Sequence, residues 1–184
     1  MDVTAERRFE DLLAEVYEPL QRFVRRRTSQ CDDVLADTLL VLWRRLDDVP
    51  ADAALPWSYG VARGCLQNAR RAEERRWRLL RRVALEPDPP APDDDPELAE
   101  ALAGLPAADR ELLRLWAWEQ LAPREIAVVL GITPNAASIR LHRATAKLRA
   151  AMGGASAVHG EGGARKKSKG SGQEPGRQGQ EAPR

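Results

Sequence analysis

The chain has 184 residues, of which 31% are charged and 43% hydrophobic, a composition typical of a folded protein with one domain or two small ones. Its two cysteines, Cys31 and Cys65, lack CxxC spacing, and it has two histidines. These are too few residues to predict a metal site, a disulfide framework or a Cys/His catalytic pair. We expect no cofactor. The acidic N-terminal residues do not resemble a signal peptide, and no stretch approaches about 18 apolar residues, so we expect a cytoplasmic protein without membrane insertion.

The charges are segregated along the chain, although the formal net charge is only +1. From Arg63 to Arg82 there are eight arginines against two glutamates. From Val83 to Ala108 there are seven acidic residues and no basic one. A basic block is therefore followed by an acidic one.

The N-terminal part predicts a small helical bundle. Apolar residues from Phe9 to Val24 recur at steps of three and four, which places them on one face of a helix that Pro19 should kink or divide. A second helix should begin near Asp32 and end before Pro50. Its inward residues include Leu35, Leu42 and Leu46.

A third helix should start at Pro56 and run into the arginine block, which closes a first domain over residues 1–82. Residues 83–96 contain a run of five prolines and five acids, EPDPPAPDDDP, which can neither hold a helix nor bury a core. We interpret them as a flexible linker.

The second predicted domain covers residues 97–152 and ends in a helix-turn-helix. Gly131 can take the left-handed conformation that ends one helix, and Thr133 with Pro134 suits the start of the next. Ala122, where the first of these helices begins, lacks an oxygen to cap it, a loss of about 1 kcal/mol. The apolar stripe of the last helix comprises Ala137, Leu141, Ala144 and Leu148.

Residues 153–184 are rich in glycine and contain the basic run ArgLysLysSerLys at 165–169. This composition predicts a disordered tail.

The segments CDDVLADTLLVLWRRL and LPWSYGVARGCLQNARR, followed by a linker and a helix-turn-helix ending IRLHRATAKLR, resemble the extracytoplasmic-function sigma factors of bacterial RNA polymerase. The resemblance covers about residues 6 to 152. It implies an all-α fold of two small domains: region 2, which binds core polymerase and the −10 element, and region 4, which binds the −35 element. It also implies contacts with the polymerase β′ clamp helices and β flap, with promoter DNA and with an anti-sigma factor, and no enzymatic activity.

The resemblance assigns residues to three surfaces. For polymerase binding they are Asp33, Asp37, Thr38, Leu39, Trp43, Arg44 and Arg45. For the −10 element they are Trp57, Tyr59, Arg63, Asn68, Arg70, Arg71, Arg75 and Arg76. For the −35 element they are Asn135, Ser138, Arg140, His142 and Arg143.

Several alternatives stay open at this point. Trp57 and Tyr59 could be core anchors, and the exposed charges could be solvated helix faces. Gly64 stands where many family members carry an asparagine that captures a base, and Ala136 and Ala137 stand in the segment of the recognition helix that carries specificity.

For the whole chain, the competing hypotheses are a DNA-binding regulator that needs no polymerase, a helical adaptor protein, and a nucleic-acid-modifying enzyme. The enzyme would need clustered carboxylates, and those that cluster, at 93–95, lie in the linker.

Overall fold

A computed structural model of the chain describes residues 3–80 and 96–159, and over these ranges every regular element is helical. The elements, in chain order, are α1 (Val3–Arg25), α2 (Cys31–Arg44), a 3-10 turn (Leu46–Asp48), α3 (Ala54–Leu80), α4 (Pro96–Ala103), α5 (Ala107–Ala117), α6 (Pro123–Leu130) and α7 (Pro134–His159). The all-α fold expected from the sequence is confirmed.

Two helix boundaries differ from expectation. Pro19 does not divide the first helix, because α1 continues through it, with Val16 and Leu20 fully buried on either side. Helix α7 continues to His159, past the boundary at residue 152 where we expected disorder to begin. The remaining tail, including 165–169, and most of the linker, 81–95, lie outside the described residues.

Helices α1, α2 and α3 pack into a bundle around a core in which Leu20, Phe23 and Leu42 are completely buried. Two buried polar side chains, Thr38 and Ser58, are satisfied within their own helices. Thr38 donates to the carbonyl of Val34 at 2.7 Å, and Ser58 donates to that of Ala54 at 2.8 Å.

The C-terminal helices share part of the core of the N-terminal bundle. Buried residues of α6, such as Ile126 and Val129, belong to the same apolar cluster as Tyr59 and Leu66 of α3. A second, smaller cluster joins α4, α5 and α7 through Leu102, Leu105, Leu113 and Ala144. The predicted domains 1–82 and 97–152 are therefore packed against each other in this structure.

Buried ion pairs also join the two halves, between the end of α1 and the region of α5. Arg27 donates to Glu119 at 3.0 Å and to Glu111 at 3.3 Å, and Arg26 donates to Glu119 at 3.1 Å. The side chains of Arg27 and Glu119 are each only 3% exposed. Removing one partner of this contact is costly, because it leaves the other charge buried without its partner.

Candidate nucleic-acid interface

Helix α7 is positioned by the turn that precedes it. Gly131 ends α6 with φ 64° and ψ 39°, the left-handed conformation expected from the sequence. The hydroxyl of Thr133 then accepts the backbone N–H of Ala136 at 3.2 Å, which caps the start of α7. Ala137 and Ala144 are fully buried, so the predicted inward face of this helix is confirmed.

The opposite face of α7 is open to solvent. The five side chains predicted to meet the −35 element are all exposed: Asn135, Ser138, Arg140, His142 and Arg143. Of these, Ser138 already donates its hydroxyl proton to the carbonyl of Pro134 at 3.0 Å. The others offer amide, imidazole and guanidinium groups of the kind that contact base edges and phosphates in a major groove.

The missing cap of α6 has a substitute that the sequence interpretation overlooked. The carboxylate of Glu125 accepts the backbone N–H of Ala122 at 2.7 Å. A glutamate three residues after the cap position is the reciprocal half of a capping box, so the signal was present in the sequence. Ala122 itself makes no side-chain cap, as expected, so α6 has only this half of the capping box.

Helix α3 carries the residues predicted for the −10 element, and these residues differ in how exposed they are to solvent. Asn68, Arg71, Arg75 and Arg76 are exposed along the second half of the helix. Arg70 is also exposed, and it donates to the carbonyl of Arg27 at 3.2 Å. The exposed cations form a row that could follow a phosphate backbone.

The two aromatic residues at the start of α3 are less accessible. Tyr59 is 3% exposed and packs on Phe23 with ring centroids 4.7 Å apart. Burial, with a smaller contribution from Glu119, raises the pKa of Tyr59 to about 12. Trp57 is half-buried, with the Arg45 guanidinium 5.0 Å from its ring centroid. In this conformation Tyr59 is therefore a core residue, which was the alternative interpretation. Its ring cannot contact a base unless the structure rearranges.

Helix α2 presents the surface predicted for polymerase binding. Asp33, Asp37, Arg44 and Arg45 are exposed, and Leu39 is half-buried. Thr38 must be removed from this set because it is completely buried, with its hydroxyl used inside the helix.

The sequence interpretation missed an apolar neighbour on α2. Leu40 is 46% exposed, close to Trp43, which is 36% exposed and meets the ring of Phe9 edge-on at 5.1 Å. Leu40 lies off the inward stripe of α2, which is the signal that could have identified it. The result is an apolar patch surrounded by charges.

The C-terminal helices match a known protein family. Residues 96–148 match the family model "Sigma-70, region 4". The chain is 32% identical over 155 residues to RNA polymerase sigma factor CarQ of Myxococcus xanthus, covering 79% of this chain and 89% of that protein. The chain belongs to the extracytoplasmic-function sigma factors. As a sigma factor, it binds core RNA polymerase and promoter DNA and directs promoter-specific transcription initiation.

Other relatives agree with this assignment. The sigma factor is 28% identical to RNA polymerase sigma factor NccH of Alcaligenes xylosoxydans xylosoxydans over 137 residues, 67% of this chain and 74% of that one. Its fold resembles the sigma factor RpoE in complex with the anti-sigma factor NepR from Bartonella quintana, with TM-score 0.60, 21% identity, and 79% and 96% of the two chains covered. It also resembles CnrH in complex with the cytosolic domain of CnrY, with TM-score 0.54, 26% identity, and 81% and 90% covered.

The packing of the sigma factor brings together residues of the two sets that were predicted to bind the promoter elements. Arg63 of α3 lines the same cleft as Arg140 and Arg143 of α7. The acidic side chains in that cleft are already paired, Asp109 with Lys147 at 2.6 Å and Glu111 with Arg27. The cleft therefore collects cations from the two halves of the chain.

The remaining features of the sigma factor are its possible metal ligands, its cysteines and the apolar character of its helices. Among the described residues, no group of three or more His, Cys, Asp or Glu side chains could hold a metal ion. Cys31 and Cys65 are free and half-buried, and burial raises the pKa of the Cys65 thiol. No helix in the described part of the chain is long and apolar enough to cross a membrane.

Proposed function

We propose that the surfaces of the sigma factor divide the work of initiation as follows. The exposed face of α2 binds the β′ clamp helices, and the C-terminal helices contact the β flap. The cationic side of α3 holds the −10 strand, and the exposed face of α7 binds the −35 duplex. The protein acts in the cytoplasm with polymerase and DNA and catalyses no reaction itself.

The observation that carries the proposal is the patch on α2. Exposed apolar residues are common singly, but Leu40, Trp43 and the adjoining Phe9 form one surface with Asp37 and Arg44 around it. An apolar centre with a charged rim is the arrangement of a protein-docking surface. The charges would set the orientation, and the apolar centre would supply most of the affinity.

Promoter contacts are supported by the exposure of the cationic side chains on α3 and α7. Each half alone would bind DNA weakly. Attachment of both to one polymerase makes the second contact effectively intramolecular, which explains how a chain of net charge +1 can select promoters.

The docking proposal can be tested with a fragment of the β′ clamp helices. The double variant Leu40→Ala with Trp43→Ala should weaken binding by at least about tenfold, because interface aromatics commonly supply more than 1 kcal/mol each. Trp116→Ala is the matched control, since Trp116 is 47% exposed but lies on α5. Equal binding by the double variant and the control would contradict the docking site.

Run-off transcription with core polymerase then tests the whole proposal. The purified chain should permit specific initiation only when core is present. A regulator that needs no polymerase would instead bind a specific duplex as the free protein, so a gel-shift experiment without core separates the two.

We also propose that an anti-sigma factor regulates this protein, as NepR is bound to RpoE in the structural relative. The α2 patch is the surface such a protein would have to cover to block polymerase. Competition between β′ fragment and a candidate inhibitor for the chain tests this, and simultaneous binding of both would contradict it.

A further inference from the structure

Ile139 is an exposed aliphatic residue in the second turn of α7. It is 44% exposed, whereas the other two isoleucines of the chain, Ile126 and Ile132, are buried and half-buried. At about 100° per residue, Ile139 lies about 170° from the centre of the inward stripe of α7, which runs from Ala137 to Leu148. It therefore occupies the middle of the outward face of the helix.

Neither folding nor solubility accounts for an isoleucine at this position. A β-branched side chain is a poorer helix former than lysine, arginine or glutamine, which are ordinary residues of an exposed helix face. Ile139 also gains little from burial, because nearly half of it remains in contact with water. Single exposed apolar residues are common on protein surfaces, so the surroundings of Ile139 matter more than its exposure.

The neighbours of Ile139 on the outward face are polar or small. Asn135 and Arg143 lie one turn before it and one turn after it, and His142 lies beside Arg143. All three are exposed and can hydrogen-bond to base edges or phosphates. Ala136, three residues before Ile139, is too short to cover it. The face therefore has one apolar point within a polar and cationic surface, which suits DNA better than the apolar centre of a protein interface.

The major groove of DNA offers one apolar group to such a side chain. Adenine, guanine and cytosine present only hydrogen-bond donors and acceptors there, whereas thymine also presents its C5-methyl group. Isoleucine cannot replace the water that a polar base edge loses on contact, so covering such an edge is unfavourable. Contact with a methyl group instead buries apolar surface on both sides. We therefore expect an isoleucine in the groove to select thymine.

The place of Ile139 in the helix also suits this contact. Residues near the N-terminus of a recognition helix are those that reach base edges. Thr133 fixes the start of α7 here, because its hydroxyl accepts the Ala136 N–H at 3.2 Å. In a helix isoleucine has one strongly preferred χ1 rotamer, so the methyl groups of Ile139 are held in place before DNA arrives. Little conformational freedom is then lost on binding.

We propose that Ile139 is a specificity-determining residue of the sigma factor, and that it packs against the C5-methyl group of a thymine in the −35 element. The element then contains a thymine at the base pair under the second turn of α7, and cytosine is rejected there. The polar side chains around Ile139 hold the helix in the groove. The inference rests on the proposed function, because it requires α7 to bind the −35 duplex.

The test uses holoenzyme made from the full chain and core polymerase, with a promoter whose −35 sequence that holoenzyme has selected from a randomised library. Each thymine of the selected element is replaced in turn by deoxyuridine, which lacks only the methyl group. At one position this should weaken binding about fourfold, the effect of removing one buried methyl group. Ile139→Ala should weaken binding to the thymine duplex at least as much, and it should make deoxyuridine and thymine equivalent at that position.

A second substitution places the same methyl group on another base. At the sensitive position, DNA with 5-methylcytosine should bind the unmodified holoenzyme about fourfold more tightly than DNA with cytosine, and Ile139→Ala should not distinguish them. Ile139→Val, which keeps the branched Cβ, should retain most of the sensitivity. Val128→Ala is the matched control, because Val128 is 41% exposed but lies on α6, and it should keep the full response to deoxyuridine.

The inference is refuted if the selected element contains no thymine whose methyl group matters, or if Ile139→Ala responds to deoxyuridine as strongly as the unmodified chain. It is also refuted if Ile139→Ala leaves promoter binding unchanged, since the residue then faces a protein or solvent. Alanine is the best helix former, and circular dichroism with binding to the β′ fragment shows that the variant is folded. Failure of the unmodified holoenzyme to select any −35 sequence would instead refute the proposed function, so the two failures are distinguishable.

Discussion

Replacing Tyr59 with phenylalanine should remove a pH dependence of stability that the structure predicts. Burial raises the pKa of Tyr59 from 10.0 to about 12 in the folded chain. The neutral phenol is thus favoured by folding, and its contribution is complete below the unfolded pKa. As the pH rises from about 10 to about 12, the unfolded chain loses its proton first and the contribution disappears. The loss is about 1 kcal/mol at about pH 11 and about 3 kcal/mol in full, since one pKa unit corresponds to about 1.36 kcal/mol.

The assay is urea unfolding at several pH values between about 8.5 and 11.5, with Tyr59→Phe and Tyr17→Phe compared with the unmodified chain. Tyr17 is the control because it is 42% exposed, whereas Tyr59 is 3% exposed. The difference between the unmodified chain and Tyr59→Phe cancels the titration of all other groups. The assignment of Tyr59 to the buried core is wrong if this difference in unfolding free energy stays constant across the pH range. It is also wrong if the difference between the unmodified chain and Tyr17→Phe changes with pH by the same amount.

Three further predictions concern packing, the turn and DNA. Leu42→Ala should lower the unfolding free energy by about 2–5 kcal/mol, while Leu40→Ala should change it by less than about 1 kcal/mol, because Leu42 is fully buried and Leu40 is 46% exposed. Equal losses in urea unfolding would contradict the orientation of α2. Gly131→Ala should cost about 1–2 kcal/mol, since φ is 64° there, and an unchanged melting midpoint would exclude the left-handed turn. Arg140→Ala should reduce the slope of log K against log salt for the −35 duplex by about 0.9, whereas Arg149→Ala should not; identical slopes would show that Arg140 meets no phosphate.

The local features of the fold follow directly from the sequence. Helix α7 is positioned by Gly131, Thr133 and Pro134, and each of these residues acts through its own backbone or its nearest neighbours. The inward face of α7 follows from helical periodicity in the same way, as Ala137 and Ala144 show. The family and its two predicted regions could be identified from such local signals in their order. We expected Pro19 to kink or divide α1, and the alternative of a division was wrong, because burial of Val16 and Leu20 against distant residues overrides a local helix-breaking preference.

What only the tertiary structure decided is which residues meet across the two halves. Arg27 and Glu119 are 92 residues apart, and nothing in the local sequence distinguishes Arg27 from the two arginines that precede it. Tyr59 matches a DNA-binding position by sequence, and it is buried here because Phe23 and the C-terminal half cover it. Helical periodicity specifies which face of a helix is apolar, but it does not specify which other helix covers that face. The close approach of Gly60 to Val129 and the ion pair of Arg27 with Glu119 therefore required coordinates, while the sigma-factor assignment did not.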